Sequence, residues 1–282
     1  MKLLRYGQPG AEKPALLDAD GKVRDLSGHV PDIGGAVLTS AGIAAIEALD
    51  PKSLPLVENP GRLGPCVSRV GKFICVGLNY ADHAAETGAN IPEEPILFMK
   101  ATSAITGPND NVIIPRNSKK TDWEVELGVV IGDEARYVTE GDAMTHVAGY
   151  CLINDVSERA FQSERGGQWT KGKSADSFGP IGPWVVTRDE IADPQNLKMW
   201  LTVDGVSRQN GSTKTMIFTV PFLVHYISQF MSLQPGDIIS TGTPPGVGLG
   251  IKPDPIFLQA GQTIKLGIEG LGEQQQLTVD AA

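Results

Sequence analysis

The chain has 282 residues, a formal charge of −9, and 41% hydrophobic and 20% charged residues. That length holds one large domain or a small one joined to a larger one. The composition is ordinary for a globular protein, and the acidic balance offers nothing to nucleic-acid phosphates or an anionic membrane.

Read from its start, MKLLRYGQPGAEKP breaks into charge and turn residues too soon for a signal peptide. No later stretch approaches the roughly 18 apolar residues of a membrane span, so the cytoplasm is the expected compartment. Cys66, Cys75 and Cys151 are scattered, with no CxxC pair, which argues against a zinc ribbon or a disulfide framework. Residues 1–68 read as a small N-terminal domain, with strands at 3–6 and 15–17 and a turn at Gly21 and Lys22. Ser40 is placed to cap the helical spacing of AGIAAIEALD, and SLPLVENPGRLGPCVSR reads as a linker.

Residues 69–282 read as a larger catalytic domain. FICVGL is a buried strand; ETGANIPEEP, at 86–95, has the Gly and Pro content of a flap. WEVELGVVI (123–131), HVAGYCLIND (146–155), WVVT (184–187) and MWLTVDG (199–205) continue the strands. One long helix is expected over residues 220–231, capped by Thr219, with Pro221 in its first turn and Val220, Leu223, Val224, Ile227 and Phe230 on one face. QPGDIISTG and QAGQTIKLGIEG each read as a turn and a strand. The class is mostly β with a few helices (α+β). No phosphate-binding loop, dinucleotide fingerprint or GxSxG elbow accompanies it.

Glu124 and Glu126 carry the clearest chemical signal. Alternation puts Trp123, Val125, Leu127 and Val129 on one face and both glutamates on the other. Two neighbouring carboxylates in a strand fit for burial repel and resist desolvation. Either the strand is an exposed edge, or a hard divalent cation such as magnesium or manganese compensates them. Asp155, at the end of GYCLIND, either caps the helical segment that follows or reaches across to join them. In GLNYADHAAETG, Asp82 can start a helical turn that puts His83 and Glu86 on one face. They are either a surface pair or a base oriented by a carboxylate. Lys171 and Lys173 lie among small residues, and TGTPPGVGLG, with the Thr243 hydroxyl, is either a tight turn or a backbone cradle for a carboxylate. His29, His146 and His225 are scattered and read as structural or surface residues.

Together ICVGLNYADHAAE, ILFMKATSAITGPND, DWEVELGVVIG, GYCLINDVSERAFQ, KGKSADSFGPIGPW and STGTPPGVG, in this order, resemble the fumarylacetoacetate hydrolase family. The resemblance implies a mixed β-roll catalytic domain behind a smaller N-terminal one, assembled as a homodimer. It implies Mg2+ or Mn2+ held by Glu124, Glu126 and Asp155, a water-activating pair in His83 and Glu86, and Lys173 facing the substrate. Arg159, Gln162 and Thr243 fall where relatives contact substrate; Lys100 lies in a matching segment without an assigned role. This chain has Val76 where the founding enzyme takes a further acidic ligand, and Leu78 where some acylpyruvate-cleaving relatives carry Arg.

MKLLRYG, NDVSERAFQSERGGQWTKGKS and IEGLGEQQQ are most similar to bacterial members that hydrolyse 2,4-diketo-3-deoxy sugar acids, relatives often labelled ureidoglycolate lyase. The expectation is hydrolysis of a 2,4-diketo acid to pyruvate and a carboxylic acid. The competing readings are lyase, decarboxylase or isomerase chemistry on a related keto or ureido acid, and a β protein that only binds a metal or sugar acid.

Overall fold

In the computed structural model, which describes residues 1–88 and 90–282, the alternation around residues 123–131 yields a seven-residue central strand, Val125–Ile131. Ala89 and the side chain of Thr87, inside the segment expected as a flap, lie outside the described residues. The strand begins one residue later than Glu124, because residues 121–122 form a separate short strand paired with Ser157–Glu158.

Ten strands form the main sheet, in the order Leu56–Val57, Val23–Asp25, Lys13–Leu17, Lys2–Tyr6, Val185–Thr187, Val147–Asn154, Val125–Ile131, Ile238–Ser240, Phe73–Gly77 and Ile96–Lys100. Every pairing is antiparallel except that of Ile238–Ser240 with Phe73–Gly77, so the sheet is mixed. Residues 1–68, expected as a small domain, thus extend this sheet through the pairing of Lys2 and Leu3 with Val186 and Val185. They also share a core with it, Leu3, Leu16, Leu26 and Leu38 packing with Phe73, Cys75, Val130 and Cys151.

The other face of the central strand packs on a second, five-stranded sheet: Val125, Leu127, Val129 and Ile131 join Met199, Leu201, Ile264 and Leu266 in one buried cluster. Each such side chain contributes about 1.5–3 kcal/mol by leaving water. The long helix is Val220–Ser228, shorter than expected, with Thr219 capping it through the N–H of Phe222 and Val220, Leu223, Val224 and Ile227 buried. Phe230 lies beyond it and is exposed. At the other predicted cap the structure corrects the residue: Thr39 accepts the N–H of Gly42, while Ser40 is the first helical residue and bonds Asp133. No helix among the described residues is long and apolar enough to cross a membrane.

Candidate active site

The site lies where the polar face of the central strand reaches the end of the sheet. Val125 pairs with Asn154 and Glu126 with Ile153, so Asp155, one residue past its strand, arrives beside the glutamates. Its N–H donates to the Glu124 carbonyl (2.9 Å), and the Glu124 N–H to Asn154 Oδ1 (3.2 Å). Asp155 is therefore not a helix cap. Glu158 takes that role through the N–H of Ala160. Glu124, Glu126 and Asp155 are all buried, and each offers a carboxylate oxygen within 4.8 Å of the others.

Their partners differ. Lys173 Nζ lies 2.6 Å from Glu124 Oε2 and 2.8 Å from Asp155 Oδ2, and Arg159 Nη2 is 2.7 Å from Glu124 Oε1. Burial pushes the Glu124 carboxyl up, but Lys173 and Arg159 outweigh it and bring it down to about 2. Glu126 has no ion pair among the described residues; it accepts from Ser240 Oγ (2.5 Å) and the Gly242 N–H (2.9 Å). Burial, then the charges of Asp155 and Glu124, hold its carboxyl well above the usual range. Asp155 Oδ1 makes no hydrogen bond, although Lys100 Nζ is 2.6 Å away. A crowded set of carboxylate oxygens with one cation-poor carboxyl fits a hard divalent cation.

Lys100, unassigned in the sequence analysis, is 1% exposed and donates to the carbonyls of Val156 and Lys173. It offsets Asp155 from behind while holding the backbone that presents Lys173. That lysine keeps its proton tightly: burial works against the charge, but Asp155 and Glu124 more than restore it. Lys171, the neighbouring candidate, points elsewhere and bonds the Arg165 carbonyl.

His83 and Glu86 share the helix Ala81–Thr87, with His83 Nδ1 3.2 Å from Glu86 Oε2. The helix starts without a side-chain cap; Asp82 sits in its first turn and accepts the His83 N–H (3.0 Å). Burial raises the Glu86 carboxyl, but His83 and the Gly246 N–H together lower it.

The 241–250 loop does present N–H groups to carboxylates, but to the protein's own: Gly242 to Glu126, Gly246 to Glu86 (3.0 Å), and Gly248 and Leu249 to Asp122 (2.6 and 3.0 Å). Gly242 has φ +94°, and a Cβ there would stand 3.0 Å from Asn79 Cβ, so only glycine turns its N–H this way. Thr243 lines the pocket, yet its hydroxyl donates to the Val125 carbonyl (2.9 Å) and accepts from Gln209 (2.8 Å). The expected substrate contact is thus already engaged in fixing the loop to the central strand.

Asp122 is the residue that sequence reasoning missed. Besides those two N–H groups it accepts Arg159 Nε at 2.8 Å, aiming the guanidinium at Glu124; Arg159 Nη1 also donates to Gln162 Oε1 (3.2 Å). The only hint was its place one residue before the signal-bearing WEVEL. His83, Glu124, Glu126, Asp155, Arg159, Gln162, Lys173 and Thr243 all line one cavity of about 260 Å³, completed by Val76, Leu78, Phe98, Trp169, Val247 and Leu249. Glu86 supports it from behind His83. The remaining histidines lie elsewhere, His225 Nδ1 for instance 2.7 Å from the Val138 carbonyl.

Residues 72–279 match the model of the fumarylacetoacetate (FAA) hydrolase C-terminal domain. A Burkholderia multivorans protein with a provisional hydrolase name and no stated substrate is 66% identical over 278 residues, 99% of each chain. The fumarylacetoacetate hydrolase of the psychrophile Exiguobacterium antarcticum superposes with a TM-score of 0.88 at 37% identity, covering 100% of both chains. A 5-carboxymethyl-2-hydroxymuconate delta-isomerase from Mycobacterium smegmatis gives 0.76 at 31% identity, again over 100% of both. A mixed-sheet β fold with a buried carboxylate cluster beside a His–Glu pair defines a class of enzymes. The chain belongs to the fumarylacetoacetate hydrolase family.

Proposed function

We propose that the chain hydrolyses a carbon–carbon bond of a 2,4-diketo acid, releasing pyruvate and a carboxylic acid. One observation carries the reading: three buried carboxylates, the Lys173 ammonium and the His83–Glu86 pair converge on a single cavity. Glu124, Glu126 and Asp155 would hold magnesium or manganese, which would supply Lewis-acid polarisation of the 2-keto and carboxylate oxygens.

The protein's own groups do the rest. Glu86 engages His83 Nδ1, so the proton is handled at Nε2. His83 takes a proton from a water as that water adds to the distal carbonyl. The bond between C3 and C4 then breaks, its electron pair passing into a pyruvate enolate. Lys173 offsets that charge from a buried position. C3 regains the proton from His83, and the released acid gives its own proton to solvent.

Chelator-stripped protein assayed for pyruvate from a 2,4-diketo acid panel, with and without magnesium, tests this. Metal-dependent pyruvate is the expected result. No pyruvate with metal bound would favour the second reading, isomerase or lyase chemistry with ureidoglycolate among the compounds to try, which similarity to an isomerase supports. We also propose a homodimer, supported by exposed Tyr137 and Phe230 and checked by sedimentation equilibrium.

A further inference from the structure

The cavity has two chemically distinct halves. Its floor carries the carboxylates and their cations; its walls are mainly Leu78, Phe98, Trp169, Val247 and Leu249. Of its polar lining, Gln162 Oε1 is held by Arg159, while the Ser163 and Thr243 hydroxyls donate to the Arg159 and Val125 carbonyls. Trp169 meets Phe98 edge-to-face at 5.4 Å and 61°, and it seats against Gly77 so closely that a Cβ there would lie 2.3 Å from its ring. The wall therefore runs unbroken from Leu78 through the Gly77 backbone to Phe98. Leu78 itself has φ +52°, a conformation that is strained for a bulky side chain and that concentrates at functional sites.

No cation among the described lining residues is left for the tail of a substrate. Lys173 is held between Glu124 and Asp155. Arg159 is neutralised by Asp122 (2.8 Å), which two backbone N–H groups lock in place. Arg159 Nη1 is on Gln162 and its Nη2 on Glu124. His83 is engaged with Glu86. A carboxylate on the acyl end would lose its water against rings and aliphatic side chains with nothing to pair it, and a polyhydroxylated tail would lose hydrogen bonds. An alkyl or aryl tail gains from the same surface.

We propose that the substrate's acyl end is neutral and apolar, making the ligand a monocarboxylic acylpyruvate and not a dicarboxylate or a deoxysugar derivative. This rests on the keto-acid reading of the site above. The test is calorimetric titration of the magnesium-loaded protein with three 2-keto acids of matched length: 2-ketohexanoate, 2-ketoadipate and a 2-keto-3-deoxy sugar acid. The expected order puts the alkyl acid first, about tenfold tighter than the sugar acid and on the order of a hundredfold tighter than the dicarboxylate. A dicarboxylate or sugar acid that binds as tightly overturns the proposal, as does binding by none of the three. Pyruvate release from 2,4-diketoheptanoate is measured beside it. The expected binding order without pyruvate sinks the hydrolase reading alone; pyruvate with a reversed order sinks the apolar-tail assignment alone. Leu78→Arg, its fold checked by circular dichroism, is expected to raise affinity for 2-ketoadipate at least about tenfold. An unchanged order in the folded variant would remove Leu78 from the recognition surface.

Discussion

The two faces of the Val125–Ile131 strand share one backbone and one environment, both buried, and differ in what satisfies them. One face meets only hydrocarbon: Val125, Leu127, Val129 and Ile131 pack onto the second sheet. The other returns to hydrocarbon at Val130 but opens with Glu126, with Glu124 just before it, and packing alone cannot satisfy these. It takes Lys173, Arg159, Ser240 and the Gly242 N–H to do so, and still Glu126 stays cation-poor. The hydrocarbon contacts specify the fold; the charged end of the second face costs stability and serves the chemistry.

If that division holds, damage to the two faces should separate activity from stability. The largest effect is expected from Glu126→Gln. It should abolish metal binding, seen by titration, and lower turnover by on the order of a thousandfold, about 4 kcal/mol, with little loss in chemical denaturation. A variant that still turned over normally would remove the carboxylate cluster from the chemistry. His83→Ala should cost about a hundredfold or more in kcat while leaving metal affinity nearly intact; loss of metal instead would make His83 a ligand. On the apolar face, Leu127→Ala should cost about 2–5 kcal/mol of unfolding free energy, measured in urea. Retained stability there would mean that the sheets do not depend on this seam.

A smaller effect distinguishes the two glutamates by pH in chelator-treated protein. Glu124 falls from an ordinary 4.5 to about 2 on folding, so its contribution is present above pH 4.5 and fades as pH drops toward 2. Glu126 is raised on folding; its contribution is full below 4.5 and is lost as pH climbs through its elevated value. Relative to the parent protein, the thermal midpoint of Glu124→Gln should therefore fall as pH rises from about 2 to 4.5 and then level off, while that of Glu126→Gln should rise only above pH 4.5. Parallel drifts would refute the distinction.

Much of this was legible from residue order. Alternation alone set Glu126 opposite Val125 and Leu127, and the end of an apolar run put Asp155 near a strand terminus. What could not be read were contacts set by distant pairing. Lys2 and Leu3 join Val186 and Val185, a partnership with no local signature, so residues 1–68 looked separable although they continue the sheet. Asp122 reads as an ordinary strand-end carboxylate until Arg159 and the N–H groups of Gly248 and Leu249 close around it. Thr39 and Ser40 are both good caps, and only the backbone geometry selects Thr39.

The 241–250 loop has a consequence for how this scaffold can change. One short backbone segment tethers Glu126, Glu86 and Asp122 at once, three carboxylates with three separate tasks. Lengthening or shortening it by a single residue would misalign all three together, so the loop is closed to gradual adjustment. New substrate preferences have to be written in the side chains of the walls, at Leu78, Phe98 or Trp169, where a change of shape leaves the reacting groups in place.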